Sequence, residues 1–144
     1  MRRVNVNQYL SVINNVLDST QKMSPKMDPY FNIFRSALND DEEIEAEDYQ
    51  ATQASFGEGV KQYQTNLTTL EKAQAPAQLI GVHKNLVAHY REFVKGCEAM
   101  NASIDYQGRQ VDRKQFDAAE KAQETVMDKV NRSVQKIIRG LHLA

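Results

Sequence analysis

AQLIGVHKNLVAHYREFVKGCEAMNASI, residues 77–104, is the stretch whose reading decides the fold. Leu79, His83, Leu86, Tyr90, Phe93, Cys97, Met100 and Ile104 recur at alternating steps of four and three. That spacing draws one stripe along a helix, in the pattern of a heptad seam. A stripe of this length offers neighbouring helices a continuous surface to pack on.

The same rhythm extends outward in both directions. Upstream, Val6, Leu10, Ile13, Leu17, Thr20, Ser24, Met27, Phe31, Phe34 and Leu38 keep step. Pro25 and Pro29 interrupt this segment, and each proline in a helix interior costs about 3 kcal/mol or more. The sequence therefore predicts a first helix broken or kinked near Pro25 and Pro29, as pieces at about 5–23 and 29–39 with Asp28 capping the second.

A second helix is expected over about 41–74, with Ala46, Tyr49, Gln53, Phe56, Val60, Tyr63, Leu67 and Leu70 on its stripe. Pro76 ends it, because the residue before proline is biased away from helical dihedrals. Beyond residue 104, the run 105–111 reads as a connector around Gly108. Asp112 with Gln115 resembles a capping box for a last helix to about residue 139, where Gly140 is a natural stop. No stretch alternates with period two, so no strands are expected.

Four segments of about 28–34 residues with short links imply antiparallel neighbours. The predicted fold is all-α: one domain, 1–144, folded as an up-down-up-down four-helix bundle. The 144 residues can form a core without a metal or disulfide. The one cysteine, Cys97, has no disulfide partner in the chain. A net charge of −1 gives no global pull toward nucleic acid. No run of about 18 apolar residues would span a membrane.

Few residues carry chemistry. His83 falls on the seam and should point inward, where the expected topology places Thr68 and Ser133 as hydrogen-bond partners. This core polar site is a candidate for a small ligand or metal. His89 and Glu92 share a helix face, but the order is the reverse of the Glu-x-x-His found in carboxylate-bridged di-metal bundles, and it occurs once. Cys97 reads as a buried structural thiol. The acidic run contains Glu42, Glu43, Glu45 and Glu47, a candidate partner surface, with Arg35, Arg109, Arg113 and Lys114 expected nearby. The opposite end should carry Arg2, Arg3, Lys72, Lys84, Lys136 and Arg139, a basic tip able to face anionic lipid. Nucleotide-binding glycine motifs, a Gly-x-Ser-x-Gly elbow and paired Cys-x-x-Cys are absent from the sequence.

Ala75-Pro76-Ala77, His83, Leu86, Tyr90, Phe93-Val94, Gly96-Cys97 and Phe116-Asp117-Ala118-Ala119-Glu120 carry a resemblance over residues 71–137. On these positions the chain resembles small helical-bundle proteins of unknown function from Gram-positive bacteria, some of them envelope lipoproteins. The resemblance implies a helical bundle of bacterial origin and supplies no catalytic residues.

The functional expectation is a non-enzymatic bundle, without cofactor, that binds a protein or associates with the cell envelope. Two alternatives are a ligand- or metal-binding bundle centred on His83 and a self-associating structural bundle. As written, the chain begins without a leader and reads as cytoplasmic; export would follow if Met1 replaces one.

Overall fold

The structure is a computed structural model and describes residues 5–143, with side chains for 5–141. Four long helices form an all-α bundle: α1 (Val6–Asp40), α2 (Ala46–Lys72), α3 (Ile80–Ala102) and α4 (Arg113–Leu143). A single 3-10 turn, Ala77–Leu79, leads into α3. Inter-helix contacts give the directions. Phe34 meets Tyr49 while Ser19 meets Asn66, so α1 and α2 run antiparallel. Leu70 meets His83 while Tyr63 meets Phe93, and Ala99 meets Gln115 while Gly96 meets Gln123, so the next two pairs do the same.

Of the break or kink expected in the first helix, the break is absent. Pro25 and Pro29 both lie inside the continuous α1, and Asp28 is an interior residue rather than a cap. The reason is where the prolines point. They are four residues apart, share one face of the helix, and are both exposed. The carbonyls they leave without an amide partner lie on the solvent side, where water serves them. Asn5 caps the start, its side chain accepting from the Gln8 amide at 3.1 Å. Asp41 ends α1 in the left-handed region, φ 51°.

The second helix starts at Ala46, later than the acidic run suggested, and it turns a different face inward. Tyr49, Thr52, Phe56, Gly59, Tyr63, Asn66 and Leu70 are buried. Thr52, Gly59 and Asn66 thus replace the expected Gln53, Val60 and Leu67. Similarly, α1 buries Tyr9, Val16 and Met23 where the sequence suggested Leu10, Leu17 and Ser24. Gly59 belongs at its position because a Cβ there would overlap Met27 Sδ.

Thr52 is fully buried and its hydroxyl has no partner. An unmade buried hydrogen bond costs about 1–3 kcal/mol. Thr52→Val is therefore expected to raise stability by about 1 kcal/mol. An unchanged or lowered midpoint in urea denaturation would refute this.

Among the described residues, the only strands lie at the link between α3 and α4. Ile104–Asp105 (β1) and Gln110–Val111 (β2) pair antiparallel, a short hairpin that period-two reading could not detect in two-residue strands. Asp105 Oδ1 accepts from the Gly108 amide at 2.9 Å and closes the turn. Asp112 Oδ1 then accepts from the Gln115 amide at 3.0 Å. The Gln115 side chain donates to the Ala99 carbonyl at 2.9 Å, tying α4 to α3 instead of completing the box. Gly140 does not stop α4, which continues to Leu143 and includes the backbone of His142. A Cβ at Gly140 would sit 2.6 Å from Leu79 Cδ2, so this glycine serves close packing.

The core has two parts. Near the Asp41 end, Phe34, Tyr49, Phe56, Met100, Ile104, Phe116 and Ala119 pack together. The larger part runs from Phe93 and Cys97 toward Tyr9, Leu79 and Ile137 at the other end.

Candidate functional site

Four polar features and one cleft bear on function. His83 is buried, as its seam position implies, but its partners are not those expected. The Leu70 carbonyl, 2.9 Å from Nε2, can only accept, so Nε2–H donates to it. Nδ1 then accepts from the Tyr9 hydroxyl at 2.8 Å. Thr68 is exposed and donates to its own helix, at the Gln64 carbonyl. Ser133 is buried but contributes neither of these two bonds. Both ring nitrogens of His83 are engaged, which leaves no lone pair for a metal or ligand. Among the described residues, no three of His, Cys, Asp and Glu come together as metal ligands do.

The site is a register pin. His83→Leu should leave the Tyr9 hydroxyl buried without a partner, at a cost of about 1–3 kcal/mol. Equilibrium urea unfolding checks this, and a change below a few tenths of a kcal/mol would contradict it.

A second polar chain joins three helices and was not anticipated. Gln62 Nε2 donates to Asn66 Oδ1 at 3.1 Å, and Asn66 Nδ2 donates to both Ser19 Oγ and the Tyr90 hydroxyl at 3.1 Å. Thr20 Oγ1 donates to the Val16 carbonyl at 2.7 Å, so Tyr90 donates to Thr20, at 2.8 Å. Each donor finds an acceptor, which makes burial of these groups tolerable. The signal in the sequence was the spacing of Asn66 itself, which fits a three-four rhythm through Tyr63 and Leu70.

Cys97 is buried, and burial, with the Glu98 carboxylate, pushes its thiol up to about 12. Its sulfur donates weakly to Gln123 Oε1 at 3.6 Å. A thiol held protonated is a poor nucleophile.

Glu42, Glu43, Glu45 and Glu47 are exposed, on the link into α2 and its first turn. Two of their expected basic neighbours, Arg113 and Arg35, have other engagements, and Arg109 lies beside the glutamates. Arg113 pairs with Asp41 at 3.0 Å and also donates to the Leu38 carbonyl. Arg35 pairs with Asp117 at 2.8 Å and Glu120 at 3.3 Å, with its guanidinium over the Phe116 ring. Arg109 shares a surface hollow with Glu42 and Glu43. Reversing Glu42, Glu43 and Glu45 to lysine should change stability by no more than about 0.5 kcal/mol per site, as at other exposed positions. A larger loss in a thermal melt would mean that the glutamates serve the fold.

The cleft lies between α1 and α4. Near the Asp41 end these helices touch, where Phe31 stacks on Phe116 at 5.6 Å between centroids. Farther along they part. Thr20, Gln21 and Ser24 form one wall and Gln123, Met127 and Asn131 the other, with Tyr63 and Phe93 at the floor. A smaller cavity of about 130 Å³ opens from it, sharing Ser24, Tyr63, Phe93 and Gln123. Met27, Phe31, Phe56, Val60, Cys97 and Met100 complete its apolar lining. Gln123 is tied down on one side by the Gly96 carbonyl, which accepts from Nε2 at 3.1 Å. Gly96 permits this, because a Cβ would come within 2.9 Å of Gln123 Cγ. The sequence marks Phe31, Phe56, Phe93, Met27 and Met100 as core first and ligand pocket second; it does not mark the gap between α1 and α4 beside them.

No family model matches the chain, and neither a curated protein nor a solved structure matches it.

Proposed function

We propose that this protein is a non-enzymatic binding bundle that holds a small apolar ligand in the cleft between α1 and α4. The supporting observation is the cavity beneath the cleft, where the largely buried Tyr63 and Phe93 line both spaces. Ligand sites in bundles form between helices, lined by apolar side chains with a few polar ones. This moves the ligand-binding alternative away from His83, whose nitrogens are both engaged. The test is a panel of small single-ring aromatics followed by methyl and aromatic NMR. Shifts at Met100, Phe93 and Tyr63 with a raised melting temperature support the reading. A panel that moves none of these resonances refutes it.

A second reading is association with the cell envelope through the end where α1 begins and α4 finishes. Val6, Ile80 and Ile138 are large apolar residues exposed near this end. Lys72, Lys84, Lys136 and Arg139 are exposed there too; Arg2 and Arg3, expected beside them, lie outside the described residues. Apolar side chains among cations suit an anionic lipid surface, and the resemblance to envelope lipoproteins agrees with it. No described helix is long and apolar enough to cross a membrane, so the contact would be peripheral. Flotation with anionic vesicles, lost in Ile80→Ser/Lys84→Glu, supports this reading; equal flotation of both proteins refutes it.

A further inference from the structure

We propose that the cavity beneath the α1–α4 cleft takes an aromatic amine: one ring in the cavity and an aliphatic ammonium at the acidic rim. The inference rests on the ligand-binding reading above and adds the ligand's class. Three observations carry it.

The first is size. At about 130 Å³ the cavity is close to the roughly 150 Å³ apolar void that holds one benzene ring. Its walls are aromatic rings and thioethers, from Phe31, Phe56, Phe93, Met27 and Met100, which favour an aromatic guest.

The second is a polar group with nothing to bind. Tyr63 is 2% exposed as a residue and lines both cavity and cleft; its hydroxyl makes no hydrogen bond among the described residues and is not one of the fully buried unpaired atoms, so it stays open to that space. Gln123, another polar side chain in the wall, is already committed to Gly96 and Cys97. Tyr63, with Ser24 beside it in both spaces, is a polar group open to a ligand.

The third is charge. Asp28 lines the cavity, and Glu124 and Asp128 line the cleft, while no lysine or arginine lines either. Asp128 is paired with Arg132 at 2.7 Å. Asp28 and Glu124 make no ion pair among the described residues. Asp28 and Tyr63 both line the cavity, which puts a carboxylate and a phenol on its wall. A cleft of one sign concentrates ligands of the other. Anionic aromatics are repelled there, and neutral ones leave the carboxylates unused.

The experiment is calorimetric titration of the full chain with phenethylamine, phenethyl alcohol and hydrocinnamate, which share a ring and differ in charge. The amine should bind about two- to fivefold more tightly than the alcohol, the range of one partly exposed charge pair. Hydrocinnamate should bind most weakly. Asp28→Asn, at an exposed position, should bring the amine down to the alcohol, and Val60→Phe should fill the cavity and abolish both. Equal binding of amine and alcohol would overturn the amine assignment and leave the cleft reading standing. Amine binding that survives Val60→Phe would be surface pairing and would overturn the assignment too. Binding by none of the three would overturn both.

Discussion

Phe116→Ala is expected to cost about 3–5 kcal/mol, the range for truncating a buried phenylalanine, and to lower the melting midpoint by roughly 10–20 °C. Phe116 is completely buried. It sits where α4 first meets the bundle, and two partners depend on its ring. Phe31 stacks on it with an interplanar angle of 7°, and the Arg35 guanidinium lies 4.9 Å from its centroid. Arg35 Nε is buried and has no hydrogen-bond partner, so this aromatic face is its main company on that side. Removing the ring therefore leaves a void and a less well-matched cation together. The surroundings are poorly placed to collapse, because the short hairpin and the Asp112 cap hold the first turn of α4 in place. Denaturant unfolding of the two proteins decides the point. A loss under about 1 kcal/mol would show that the site refills.

The second large effect is alkaline unfolding between about pH 9 and pH 12. Burial pushes the Tyr9 phenol and the Cys97 thiol each up to about 12, and raises Tyr63, Tyr90 and Tyr106 as well. In the unfolded chain a thiol ionises near 9 and a phenol near 10. Above those values the unfolded state gives up protons that the folded state still holds. Stability is therefore full below about pH 9 and falls as pH rises toward 12. Each unit of difference is worth about 1.4 kcal/mol, so Tyr9 alone accounts for roughly 2–3 kcal/mol. With Cys97 the loss reaches several kcal/mol, comparable with the roughly 5–15 kcal/mol by which ordinary domains are stable. Thermal melts followed by circular dichroism from pH 8 to pH 11.5 should show midpoints falling steeply past pH 10. Tyr9→Phe should flatten part of that fall. Midpoints constant to pH 11 would contradict the burial of these groups.

Both effects depend on which side chains face inward, and that is the part of the fold the sequence carries least directly. The stripe from Leu79 to Ile104 could be read residue by residue, and His83, Leu86, Tyr90, Phe93, Cys97 and Met100 are all buried. Apolar and polar positions there are sharply separated. In α2 they are not. Thr52 beside Gln53, Gly59 beside Val60 and Asn66 beside Leu67 are adjacent pairs about 100° apart on the helix. Hydrophobicity favours Val60 and Leu67, and the bundle buries the other member of each pair. Gly59 is chosen because Met27 needs the space, and Asn66 because Tyr90 and Ser19 need a donor. These reasons lie on other helices. The same holds for His83, whose partner Tyr9 is 74 positions away along the chain.

By itself, the sequence determined that the chain is helical, where three of the four helices begin or end, and that Cys97 and His83 belong inside. Local chemistry suffices for those results: periodicity, a proline before residue 77, an aspartate cap at residue 112. Tertiary structure alone decided that α1 runs unbroken through two prolines, because only packing determines that both face water. It also decided that α1 and α4 part over Tyr63 and Phe93, because a gap between helices arises from their mutual packing and has no residue pattern of its own.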